Sequence, residues 1–124
     1  GGPDRAMAAD PAAVWLRERA RPGDRLAVYP LGPQWHAYAL PPATRFLTML
    51  HPSERYYDQV DWETFWGEIA AARPRFVMLA PLPRTAAPPA VPLPPGYALA
   101  ATIDLVYMGT PDRAWIYERA ATAP

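Results

Sequence analysis

The sequence predicts an α/β domain, with a mostly parallel open sheet finished by a C-terminal antiparallel hairpin. Three stretches carry that expectation. Between Asp61 and Ala72, the residues Trp62, Phe65, Trp66, Ile69 and Ala72 recur at helical spacing and form one apolar stripe, with Asp61 placed to cap the helix. Arg73-Pro74 then stops the helix, and Phe76-Val77-Met78-Leu79-Ala80 is an unbroken apolar run ending at Pro81, as expected of a strand covered on both faces. After Gly96, residues Leu99, Ala101, Ile103, Leu105 and Tyr107 alternate with Ala98, Ala100, Thr102, Asp104 and Val106, which is strand periodicity. Gly109 to Asp112 reads as a turn, and Ala114 to Glu118 as the returning strand.

The remaining elements follow in order. Gly1 to Ala9 reads as a loose leader and residues 121–124 as a tail, leaving 10–120 as one domain. Asp10-Pro11 is a helix start, with an acceptor at the cap and Pro at the first helical position. That helix runs to about Arg21, with Ala12, Ala13, Leu16 and Ala20 on one side. Pro22-Gly23-Asp24 turns the chain into a strand over Arg25 to Tyr29, closed by Pro30. Gln34 to Ala39 suits a short helix ended by Pro41-Pro42, Arg45 to Met49 a second strand, and His51 to Val60 a polar, aromatic loop. Right-handed crossovers place the strand at 25–29 between those at 45–49 and 75–80, which makes the sheet three-layered and Rossmann-like. Pro81 to Pro95 holds seven prolines and reads as an extended surface connection, because each removes a donor and fixes φ.

A chain of 124 residues buries roughly two-thirds of its unfolded surface, so a core forms without covalent staples. The absence of cysteine excludes disulfides and thiolate metal sites. All 12 basic residues are Arg, which reads as GC-rich codon usage, and 12 acidic residues balance them, so no net field favours nucleic acid. No apolar run approaches the ~20 residues of a membrane span. The start at Gly1-Gly2-Pro3, without an initiator Met, suggests a piece of a longer polypeptide.

No nucleotide fingerprint is present: Pro30-Leu31-Gly32-Pro33 offers one glycine and too few amides to cradle a phosphate, so no cofactor is expected. Ser53, the sole serine, lies outside any nucleophile elbow. His36 and His51 belong beyond the carboxyl ends of strands, near the ligand crevice of open α/β sheets. With Glu54 or Asp58 they match no metal-ligand spacing, so no metal is expected. Asp58 and Asp61 are explained by loop solvation and helix capping. Arg55-Tyr56-Tyr57, with Arg45, His51 and Arg84 nearby, suits a phosphate or sugar, since Arg forks to phosphate and aromatic rings lie against sugar faces. A solvated loop accounts for the same residues. The candidate substrate-binding set is therefore His36, His51, Arg55, Tyr56, Tyr57 and Arg84, with no catalytic residue assigned. Trp15, Trp35 and Trp115 are candidates for an exposed interface.

Four stretches taken together resemble the C-terminal extracytoplasmic domain of multi-pass membrane glycosyltransferases of the dolichyl-phosphate-mannose protein mannosyltransferase type, including bacterial relatives that use polyprenyl-phosphate sugars. They are Arg21-Pro22-Gly23-Asp24-Arg25; Tyr38-Ala39-Leu40-Pro41-Pro42 with Arg45-Phe46; Arg73-Pro74-Arg75-Phe76-Val77-Met78-Leu79; and Gly96-Tyr97 with Trp115-Ile116-Tyr117-Glu118-Arg119. The resemblance implies a non-catalytic lobe on the periplasmic face of the cytoplasmic membrane. Such a lobe partners the membrane-embedded part of the same polypeptide, covers its active site, and helps position acceptor or lipid-linked sugar, with His51 to Tyr57 as the contacting surface. The alternatives are a self-contained α/β enzyme or ligand-binding protein using the strand-end crevice, and a protein-interaction module.

Overall fold

The computed structural model describes residues 10–30, 45–46 and 59–121. These form helices α1 (Pro11–Arg19) and α2 (Gln59–Ala72) and strands β1 (Arg25–Pro30), β2 (Arg45–Phe46), β3 (Phe76–Leu82), β4 (Tyr97–Tyr107) and β5 (Thr110–Arg119). The result is an α/β domain with an open mixed sheet ordered β2-β1-β3-β5-β4.

β1 lies between β2 and β3 and is parallel to both, as the crossover argument expects. The expectation of a mostly parallel sheet is corrected. β3 pairs antiparallel with β5, and β5 with β4, over the greater part of the paired length. The reason lies in the C-terminal hairpin: β4 and β5 run 11 and 10 residues and pair along nearly all of them, against 6 residues for β1. The hairpin turn is also tighter than expected. Met108 and Gly109 alone make it, both at positive φ, so its twist matches the flanking strands, and Thr110 to Asp112 join β5.

Among the described residues, each face of the sheet carries one helix. Ala12 and Leu16 of α1 pack with Leu26, Val28, Phe76, Met78 and Ile116, and Trp15 meets Phe76 edge-on at 5.8 Å. Phe65, Trp66 and Ile69 of α2 pack with Ala27, Val77, Leu79, Trp115 and Tyr117. Alternate residues of β1, β3 and β5 therefore serve opposite cores, as a strand sandwiched between two layers requires. The Asp10 carboxylate accepts from the amides of Ala12 and Ala13, which caps α1 as expected. Asp61 is not the cap of α2, because the helix already begins at Gln59 and holds Asp61 in its first turn.

Two irregularities reset the strand registers. β3 continues through Pro81 to Leu82, with one more residue than β5 between Leu79↔Trp115 and Leu82↔Arg113. Proline has no N–H for the ladder, so a bulge is where it fits inside a strand. In β4, Ala100 is skipped between Leu99↔Tyr117 and Ala101↔Ile116. Leu99 therefore shares the α2 face with Tyr117, whereas Ala101, Ile103, Leu105 and Tyr107 pack on the α1 side, and the single alternating row read from the sequence is broken.

Candidate functional site

Of the sequence-derived candidates, His36, His51, Arg55, Tyr56 and Tyr57 lie outside the described residues, as does Trp35. Arg84 is described, two residues beyond the carboxyl end of β3. Its side chain turns onto the hairpin, where Nε donates to the Asp112 carbonyl at 2.9 Å and Nη2 to the Leu105 carbonyl at 2.9 Å. Beside it Arg113 Nε donates to Asp104 Oδ1 at 2.6 Å, and Arg113 Nη1 donates to the Thr85 carbonyl. The Arg113 hydrogen bond holds the Asp104 carboxyl below its usual range, with Arg84 adding to the effect. These arginines fasten the start of the proline-rich connection to the β4–β5 hairpin. Beyond it, Val91 and Leu93 pack against the α2-side core. From Pro83 to Pro95 the connection is irregular and largely exposed, as its prolines predict, whereas Pro81 and Leu82, expected to belong to it, are part of the central strand β3.

The densest polar arrangement stands at the opposite end of the sheet, where β1 and β3 begin and β5 ends. Arg75 Nη1 meets Asp24 Oδ2 at 2.5 Å and the Arg19 carbonyl at 3.1 Å, while Nε and Nη2 meet Glu118 Oε2 at 3.1 and 3.0 Å. One guanidinium so joins the end of α1, the turn into β1 and the end of β5, and it also lies 4.6 Å from the Phe76 ring centroid. Desolvation disfavours its charge, but Asp24 and Glu118 outweigh that and hold it protonated more firmly than a free arginine.

On the α2 side of the same end, Arg25 Nη2 donates to the Ala72 carbonyl at 2.5 Å, and Arg119 Nη1 donates to the Arg73 carbonyl. Tyr97 donates its hydroxyl to the Pro74 carbonyl, and Arg73 Nη2 reaches the Pro95 carbonyl at 2.9 Å while lying 5.5 Å from the Tyr97 ring centroid. The last carbonyls of a helix lack partners within it, and cations favour that end of the helix dipole. Arg25 of β1 meets that need at the last carbonyl of α2, and Arg119 of β5 and Tyr97 of β4 take the next two carbonyls, those of Arg73 and Pro74. Burial raises the Tyr97 hydroxyl above its ordinary pKa, opposed by Arg119, Arg73 and Arg25.

None of these residues is among the sequence-derived site candidates, although most of them lie in the stretches that carry the resemblance. The signal of this cluster was the recurrence of Arg at strand starts and ends, at Arg25, Arg75 and Arg119, where a merely solvated charge has no reason to keep to a strand end. The arrangement binds and orients chain segments and contains no nucleophile placed beside a base. Among the described residues no group of His, Asp and Glu is arranged to hold a metal ion, and no helix is long and apolar enough to cross a membrane. Trp115 is corrected as an interface candidate: it is buried in the α2-side core. Trp15 is partly buried, with Arg19 at 4.2 Å from its ring centroid.

No family model, curated protein or solved structure matches the chain.

Proposed function

We propose that the chain is a Rossmann-like, three-layer accessory lobe of a membrane-bound glycosyltransferase. In this reading it stands on the extracytoplasmic, periplasmic side of the cytoplasmic membrane and is joined to the membrane-embedded catalytic part of its own polypeptide. It covers that active site and helps position the acceptor or the polyprenyl-linked sugar, while the acid–base chemistry belongs to the membrane part.

One observation carries the reading. Three of the four stretches in the resemblance, remote in sequence, supply one another's partners at one end of the sheet. Asp24 comes from the first, Arg73 and Arg75 from the third, and Tyr97, Glu118 and Arg119 from the last. Short motifs that stand in the order of the resemblance and also interlock support a common scaffold. The fate of Arg84 favours the same reading over a self-contained enzyme, since two of its donors are spent on carbonyls of the hairpin.

The test reads the gene upstream of residue 1 and assays the 124-residue chain with a polyprenyl-phosphate sugar and a peptide acceptor. Several apolar spans of ~20 residues upstream, and no transfer by the chain alone, are expected. Sugar transfer by the isolated chain, or a gene without such spans, overturns the proposal.

A further inference from the structure

β4 forms one edge of the sheet and bonds on its other side to β5. Its 11 residues contain no proline, lysine or arginine, and its single charge is Asp104. Edge strands of monomeric proteins are ordinarily short, charged, interrupted by proline or covered, because a row of free N–H and C=O groups is a template for another strand. β4 is neither short nor interrupted by proline, and one carboxylate is its whole charge. Ala98, Ala100, Thr102 and Asp104 are exposed, as are the apolar Leu99 at 42% and Val106 at 65%. The Ala100 bulge affects only the first part of the strand, and from Ala101 to Tyr107 the register with β5 is unbroken.

We propose that β4 pairs edge to edge with β4 of a second copy of this chain, antiparallel about a two-fold axis at Ile103. A two-fold pairing is self-complementary, so each copy supplies the same donors and acceptors that it needs. The one charge decides between the two registers at the middle of the unbroken stretch, those centred on Ile103 and on Asp104. An axis at Asp104 sets two carboxylates directly opposite each other, which is unfavourable. An axis at Ile103 instead sets Asp104 of each copy opposite Thr102 of the other, and a hydroxyl can donate to a carboxylate. The same register places Ala101 against Leu105 and Ile103 against itself, so the apolar row beneath α1 continues across the axis. It also joins the two sheets into one and removes both exposed edges. The inference rests on β4 alone and is independent of the transferase reading.

Sedimentation equilibrium of the full chain over a wide concentration range tests it, with Thr102→Asp and Thr102→Lys as the diagnostic pair. Thr102 is exposed, so both variants keep the fold, which circular dichroism checks. A reversible dimer is expected for the parent. Thr102→Asp puts two carboxylates together twice by symmetry and weakens the dimer by roughly tenfold or more. Thr102→Lys sets an ammonium opposite Asp104 and leaves the dimer as tight or tighter. Amide hydrogen exchange is the second readout: alternate β4 amides should gain protection as concentration rises. A monomer at every concentration, or equal weakening by both variants, overturns the proposal. So does concentration-independent protection of those amides, which would assign the edge to a segment of the same chain.

Discussion

Arg75→Ala tests whether the end of the sheet is held by one side chain. The guanidinium makes charge-assisted contacts with Asp24 and Glu118 and a further bond to the Arg19 carbonyl. A hydrogen bond to a charged group contributes about 1.5–3 kcal/mol net when sheltered. Arg75, Asp24 and Glu118 are 20%, 19% and 32% exposed at their side chains, so water recovers part of the loss when the two carboxylates are stranded. The expected cost is therefore about 2–4 kcal/mol, between the ~0–1 of an exposed pair and the ~3–5 of breaking a buried one. For a chain of this size it lowers the melting midpoint by roughly 8–15 °C. Arg75→Lys keeps the charge but cannot fork between two carboxylates, and should lie between parent and Arg75→Ala. Urea unfolding followed by circular dichroism gives the values, and a double-mutant cycle with Glu118→Gln should return a coupling of about 1–2 kcal/mol. A loss below ~0.5 kcal/mol, or additivity within ~0.5 kcal/mol, refutes the reasoning.

Two further substitutions probe local geometry. Burial raises the Asp10 carboxyl above its usual range, opposed by the Ala13 and Ala12 amides. A folded pKa above the unfolded one gives a contribution that is complete below the unfolded value and is lost as pH rises through the folded value. Asp10→Asn keeps the cap and removes that decline, so its stability relative to the parent should rise from acid to neutral pH in urea melts at several pH values, and a relative fall contradicts the assignment. Gly96 has φ +94, and a Cβ there stands 3.0 Å from Arg73 Nη2, the group bound to the Pro95 carbonyl. Gly96→Ala should cost about 1–2 kcal/mol from the left-handed backbone; an unchanged urea midpoint would show the backbone relaxing freely.

The elements that were legible in the sequence are those whose residues answer to one local rule. Asp10-Pro11 announces its helix because capping and a fixed φ act within one turn, and the stripe from Trp62 to Ile69 announces α2 because period 3.6 is local. The direction of the sheet is not legible, because it depends on how long β4 and β5 pair, and alternation stretched through a tight turn does not show where the turn begins. Met108 hides it, since a non-glycine at φ 50 carries no turn signature. The bulge at Ala100 is equally silent, because the alanines at 98, 100 and 101 fit either face. Of the candidate site, Arg84 was legible as a residue near the strand ends but not as one bonded to the hairpin, because its acceptors, the Leu105 and Asp112 carbonyls, belong to a remote stretch. Backbone acceptors have no sequence signature.

Arginine in place of lysine has a structural use in these contacts, whatever the codon usage behind it. Arg25, Arg73, Arg75, Arg84, Arg113 and Arg119 each donate to an acceptor on another element or connection, and Arg75, Arg84 and Arg113 each reach more than one. A planar fork with five fixed donors can bridge two carbonyls or a carbonyl and a carboxylate, whereas an ammonium acts as a compact point charge and holds no direction. Elements linked by proline-rich segments have few backbone donors of their own with which to fasten those segments. In this chain arginine side chains provide that fastening at both ends of the sheet. Replacing them by lysine would keep the net charge and lose the connections, and so would separate the contribution of geometry from that of charge.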